Sequence, residues 1–223
     1  VVTHSDGVEI VETTSDTLLL DLPRLHGLWP HWVQVSPTGE IVIVPGTEWS
    51  SVDTAIAAIG LLDAQVGLEV DPSGTEQMLQ SIDWDGLVLP GGISHGYTNG
   101  GERLPYAWDV FGGETWLVEL AYAGATGQVA SISYPEPPTA NGSGFIDELA
   151  WLFVPPPTGR DVWGVDWTTY RIDASESQIA YYPTQHPRTC FARLGLLGLS
   201  AAEVAGHGYE FGAEERLSAP GPK

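Results

Sequence analysis

Around Gly46 the hydrophobic period of this chain switches from two to about 3.6 residues, and that switch constrains the fold more than any other feature. Before it, His31-Trp32-Val33-Gln34-Val35 and Glu40-Ile41-Val42-Ile43-Val44 flank Ser36-Pro37-Thr38-Gly39, the pattern of a β-hairpin with a four-residue turn. After it, Val52, Ala55, Ile56, Ile59 and Leu62 recur on one face of a helix that Ser50 can cap. Ala57, Gly60 and Ala64 keep the other side small, so another backbone can approach closely. That is a helix for the inside of a bundle.

Further helical periodicity covers about Thr75–Ile82, Glu114–Ala125, Phe145–Phe153, Asp166–Ile179 and Thr189–Val204, and Ser15–Leu22 reads as a short helix stopped by Pro23. The stretch Thr189–Val204 is apolar nearly all round through Phe191, Leu194, Leu196, Leu197 and Leu199, so burial on several sides is expected, with Cys190 an inert core residue. Residues 84–112 read as a long Gly-rich loop, and loops of that length in compact domains are usually functional or mobile. Tyr134-Pro135-Glu136-Pro137-Pro138 is a connector, and after Gly206 the chain turns polar and Gly/Pro-rich. With 223 residues and 43% hydrophobic content, a single domain over 1–223 is expected. The fold class is mostly α, about seven helices joined by long aromatic-rich loops with one hairpin near residues 31–44.

Charge narrows the partners. Eight Lys and Arg against 29 Asp and Glu leave a formal charge of -21, which repels phosphate backbones and anionic lipid and argues against nucleic acid. No apolar run is long enough for membrane insertion, and the first residues do not read as a signal peptide. Cys190 is the only cysteine, which excludes a disulfide framework and a thiolate metal site; histidine and acid spacings give no metal motif, and no cofactor is expected. Strong acidity with so little cysteine suits an extracellular, cell-surface or periplasmic protein, and the sequon Asn141-Gly142-Ser143 points weakly the same way. Nine Trp and eight Tyr against five Phe supply rings with polar tips, the faces on which sugars stack. A neutral oligo- or polysaccharide is the partner this composition favours.

Two stretches place acids beside tryptophan where a helix begins: Gly46-Thr47-Glu48-Trp49-Ser50-Ser51-Val52-Asp53-Thr54-Ala55, and Gly112-Gly113-Glu114-Thr115-Trp116. Such a setting suits a pocket for a neutral polar ligand, with carboxylates available for proton transfer. Ser50-x-x-Asp53 is equally a capping box, and an acid in a first turn is favoured by the helix dipole whatever the function. Glu48 precedes the cap, so its plain alternative is a solvated loop residue. His31, Trp32, Trp49, His95, Tyr97, Trp108 and Asp109 could together line a sugar cleft, although each aromatic residue or histidine taken singly suits a structural role as well. Asp147 and Glu148 could form another acid pair, but adjacent acids usually mark a helix's wet face.

The order His26-Gly27-Leu28-Trp29-Pro30-His31-Trp32-Val33, hairpin, Thr47 to Ala55, helix, long loop, Gly112-Gly113-Glu114-Thr115-Trp116-Leu117-Val118 resembles the glucoamylase-like α/α-toroid family, which includes β-1,2-glucan hydrolases. The matching stretch spans about residues 26–125. The resemblance implies a toroid-like helical barrel with Glu48, Asp53 and Glu114 facing its cavity. A complete toroid needs about twelve helices, more than this length holds, which leaves open a reduced toroid, a fragment of a longer chain and a non-catalytic relative.

Glycoside hydrolysis needs a protonated carboxyl to assist the leaving oxygen and an ionised one to activate water or attack the sugar. The resemblance implies an inverting hydrolase of a neutral glucan. Neighbouring carboxylates beside Trp49 would raise one proton affinity, which favours Asp53 or Glu48 as acid and leaves Glu114 as base. The competing reading is a non-catalytic glycan-binding or structural surface protein. A polysaccharide lyase using His95 and Tyr97 ranks last, because uronate carboxylates need neutralising and Arg103 is the only cation in the loop.

Overall fold

The computed structural model describes residues 22–108, 113–130, 144, 148–155, 158–161, 164–185, 187–188, 190–195, 202–204 and 208–210. The expected helix at 15–22 (all but its last residue), the connector at 134–138, the sequon, Asp109 and Asp147 lie outside them. The chain divides into two compact units, one of residues 1–109 and 117–133, the other of residues 110–116 and 134–223.

The first unit is built around α1, Ser51–Gly67. Ser50 caps it as the sequence predicts, its hydroxyl accepting from Asp53 N at 3.2 Å. Of the expected stripe Val52, Ala55, Ile56, Ile59 and Leu62, Val52 and Ala55 are buried, but Ser51, Thr54, Ala58, Leu61 and Gln65 are buried with them, while Ile56, Ile59 and Leu62 are only partly covered. Hydroxyls can face a core when bonded, and these are. Thr54 Oγ1 accepts from Trp29 N at 2.9 Å and donates to Ser50 O at 2.7 Å, so burial leaves no orphaned group there. At its far end Glu69 takes a left-handed conformation (φ 59°), with Glu69 N bonded to Val66 O and Val70 N to Gln65 O, the paired bonds of a Schellman stop.

Three short strands close over the start of α1. β1 (Trp29–Pro30) pairs with β4 (Trp49–Ser50), which pairs with β7 (Gly96–Tyr97), all antiparallel. The expected hairpin forms as β2 (Val33–Val35) and β3 (Ile41–Ile43), in the register Val33↔Ile43. Helix α2 (Ser73–Gln80) supplies Met78 and Leu79 to the core, which also gathers Leu28, Ala55, Ile82, Trp84, Ile93, Val118 and Tyr122.

Residues 84–108 are not the open loop expected. They form a short helix α3 (Trp84–Leu87), whose start Asp83 caps through Gly86 N, and a hairpin of β5 (Val88–Leu89) with β6 (Gly92–Ile93) before reaching β7. Trp84 Nε1 donates to Leu79 O, and Arg103 donates to the carbonyls of Gly86 and Val88. Ladders of one or two residues escape a periodicity reading because they are shorter than any window that could show one.

In the second unit Trp116, Trp151, Trp167 and Tyr170 pack edge-on around Val165, with ring centroids 4.7–5.4 Å apart. Asp161 ties this cluster to its loop, accepting from Trp167 Nε1 at 2.8 Å and from Val165 N at 2.9 Å. Helix α4 (Gly113–Thr126) matches its expected range, and α5 (Trp167–Gln185) runs beyond Ile179. Of the expected helix over 145–153, Glu148 is helical and Leu149–Leu152 continue as a tighter 3-10 turn among the described residues.

The long helix expected over 189–204 is corrected. Helix α6 covers only Cys190–Leu194, and Ala202–Val204 (β8) pairs with Gly208–Glu210 (β9) as a hairpin. Gly195 follows α6 in a left-handed conformation (φ 61°), a stop signal that the apolar run concealed. Leu194 is 69% exposed and Cys190 is exposed too, so neither is the core residue expected. About half of the described residues are helical, and four small sheets accompany them where one hairpin was expected.

Gly96 has a φ of 138°, and a Cβ there would lie 1.9 Å from Trp49 O, whereas Gly46 (φ 82°) faces open space. Gly96→Ala is therefore expected to lose roughly 3 kcal/mol or more in urea unfolding, against about 1–2 kcal/mol for Gly46→Ala, whose only cost is backbone strain.

Candidate functional site

Asp53 stands in the first turn of α1, and its carboxylate reaches across to the strand region rather than back along the helix. His31 Nδ1 lies 2.6 Å from Asp53 Oδ2, a pair of residues 22 apart in sequence. Against an ionised carboxylate, Nδ1 is the ring nitrogen that donates, which leaves Nε2 as the acceptor of a neutral ring or a second donor of a charged one. The side chains are 30% and 38% exposed, so the pair is open to a ligand while both backbones are held. His31 N donates to Glu48 O at 2.8 Å, continuing the β1–β4 pairing by one residue.

Trp32 stands edge-on to His31, centroids 4.5 Å apart and planes at 82°, and is 60% exposed. Its backbone N donates to Thr47 Oγ1 at 3.0 Å and its carbonyl accepts from Val44 N, which anchor the ring's base while leaving its face free. Trp49 is half-buried on β4, and its indole N–H is buried with no acceptor among the described residues. Glu48 is exposed on the turn before it, and its carboxylate pairs with no described residue.

A second aromatic group gathers around Ser51. His95 and Trp108 stack nearly parallel, centroids 3.8 Å apart at 13°, with Tyr106 tilted against His95. The fully buried Ser51 joins them to α1: its Oγ accepts from Trp108 Nε1 and donates to Ser94 O, both at 2.8 Å, and its N donates to His95 O. So the sequence-predicted residues His31, Trp32, Glu48, Trp49, Asp53, His95 and Trp108 all attach to the start of α1 or the strands beside it.

Tyr97 is placed differently. It is 5% exposed, a core residue stacked on His26 at 4.4 Å, and His26 in turn lies 3.8 Å from Asp83. Glu114 is half-buried in the first turn of α4, in the second unit. Glu148 is occupied by Arg171, which donates to it through Nε and Nη2 at 2.9 and 2.6 Å and lies over Trp151. No group of three His, Cys, Asp or Glu able to hold a metal occurs among the described residues, and none of their helices is long and apolar enough to cross a membrane.

Sequence reasoning missed Ser51 and Thr54 as fastening points. The available signal was Ser50-Ser51-x-x-Thr54, three hydroxyls that a helix start folds onto its inward side.

No protein-family model and no curated protein matches this sequence. Two solved structures do match in fold. A provisionally named glucoamylase from Bacteroides caccae superposes with a TM-score of 0.65 at 17% identity, covering 93% of this chain and 58% of the other. Another of the same provisional name from Bacteroides fragilis gives 0.62 at 15% identity, with 97% and 59% covered. The chain has a glucoamylase-like fold. It spans a little under three fifths of the length of either glucoamylase-like neighbour.

Within this glucoamylase-like frame, Ser51→Ala would strand the Trp108 indole N–H and the Ser94 carbonyl, and a loss of about 1–3 kcal/mol in urea unfolding is expected. Tyr97 supplies a pH test. Burial pushes its hydroxyl above the ordinary 10.0, Asp83 adds to this and Arg103 opposes it. The fold thus favours the neutral phenol, so this contribution is intact below the ordinary value and is lost as pH rises through the raised one. The stability gap between wild type and Tyr97→Phe, read from urea midpoints, should shrink as pH is raised above the ordinary 10.0.

Proposed function

We propose that this protein is a glycoside hydrolase that cleaves a neutral glucan by carboxylate acid–base catalysis with inversion. The observation that carries the reading is the open His31–Asp53 pair at the start of α1, flanked by exposed Trp32 and by Trp49 on a glucoamylase-like fold. A sugar ring has apolar C–H faces and equatorial hydroxyls, so stacking on an indole beside carboxylates meets both needs. Glu48 and Asp53, both in the first unit, are the proposed acid–base pair, and Glu114 is a third candidate carboxylate put to the same test. Trp32, Trp49, His95 and Trp108 are the proposed sugar contacts, His31 faces Asp53 beside them, and Tyr97 supports them from the core. The charge of -21 suits an uncharged substrate, not a uronate.

A second reading, glycan binding without turnover, draws on the 60% exposed Trp32, because a platform alone suffices to hold a sugar. One set of variants separates the two. If the hydrolase reading is right, the wild-type chain releases reducing ends from a neutral glucan such as a β-1,2-glucan, and the first-formed product has the inverted anomeric configuration by NMR. Asp53→Asn, Glu48→Gln and Glu114→Gln are then each assayed; loss of roughly 10²–10⁴ in kcat is expected for the two that act as acid and base. Retained sugar binding with no turnover by the wild type leaves the binding reading, and unchanged turnover in all three variants overturns the proposed site.

A further inference from the structure

The geometry points to a division of labour inside the proposed site, and rests on the hydrolase reading. We infer that His31 is a positioning residue for Asp53: its Nδ1–H holds Oδ2, which makes Asp53 the base and presents Oδ1 to the attacking water. The sequence alone favoured Asp53 or Glu48 as the acid, with His31 touching the sugar. The contact between them argues otherwise.

Four observations converge on this role. The 2.6 Å separation lies at the short end for a ring N–H meeting a carboxylate, as expected of a charge-assisted bond. Both partners are held by their backbones, His31 through its N–H on Glu48 O and Asp53 through its N–H on the Ser50 cap, so the two side chains start from fixed positions facing each other. Trp32, edge-on to the imidazole, limits rotation of the ring itself. Asp53 makes no other side-chain contact among the described residues, so Oδ1 is left for a ligand. A carboxylate that receives an N–H on one oxygen is an acceptor, the form a base requires; an acid must instead carry a proton to give.

The step balances without a co-reactant. Water oxygen attacks the anomeric carbon while its proton passes to Asp53 Oδ1. The glycosidic C–O bond breaks with its electron pair on the leaving oxygen, which takes the proton of the acid. Glu48, which precedes the same helix, is then the candidate for that acid. His31 touches neither water nor sugar in this scheme.

The test uses the full chain, a neutral glucan it hydrolyses, and two substitutions. His31→Phe keeps a ring but removes the donor, and kcat should fall roughly tenfold to a hundredfold, a part of what acid–base catalysis is worth, with KM little changed. His31→Asn puts an amide N–H where Nδ1 stood and should recover most of that loss. A KM rise with kcat kept would mean that His31 binds the sugar directly, and equal losses in the two variants would mean that its hydrogen bond is irrelevant; either overturns the role. A second readout needs no turnover: proton NMR of the wild type should show a slowly exchanging imidazole proton far downfield, absent in His31→Asn and in Asp53→Ala. Absence of that signal from a chain that hydrolyses glucan defeats the inference alone. Its presence in a chain that hydrolyses nothing defeats the hydrolase reading and the base role with it, and leaves the pair standing as structure.

Discussion

The first turn of α1 is buried beneath three short strands, and a helix start can be buried only if its unpaired amides and the polar groups around them find partners. Here side-chain hydroxyls supply them. Ser50 caps the helix, Ser51 reaches Ser94 and Trp108, and Thr54 receives the N–H of Trp29, so one turn of helix fastens β1, β4 and the approach to β7. Hydroxyls succeed where larger polar groups would not, since each can donate and accept within the volume of a methyl group or two. The small residues Ala55 and Ala58 that follow continue the close approach.

This fastening decides what the site can be. Acids and rings carried on a rigid helix start and a paired strand hold their geometry far better than the same groups on an open loop. Asp53 and His31 reach each other because one belongs to α1 and the other continues the strand that α1 holds. His95 and Trp108, which a sequence reading leaves on one long loop, are fixed by the Ser51 hydroxyl and by the bonds of His95 N to Tyr106 O and Trp108 N to Ile93 O. The second unit follows a separate logic: four aromatic rings pack around Val165, and one carboxylate, Asp161, satisfies the indole that lies deepest among them.

Much of this was legible in the residues. The 31–44 hairpin, the Ser50 cap, and the helices at 51–67, 73–80 and 113–126 followed from local period and capping chemistry. Two features were not. The strands within 84–97 are too short to show alternation, and the run after Thr189 hid a glycine stop inside a hydrophobic string that resembles a helix by composition. The inward face of α1 was misjudged for a related reason: hydropathy ranks Ile56 and Ile59 above Ser51 and Thr54, whereas burial follows wherever a hydroxyl's hydrogen bonds are met.

The sequence by itself determined which types of residue cluster near the start of α1, acids, indoles and hydroxyls, because these are set by neighbours along the chain. It also determined the acidity, a formal charge of -21. Only the tertiary structure decided which of those groups meet. Asp53 takes His31 as its partner, Tyr97 turns into the core, and Trp32 remains open, outcomes of strand pairing between residues 19 or more apart. Capping and periodicity are local and can be read along the chain; the choice of partner depends on closing loops whose ends no local preference specifies.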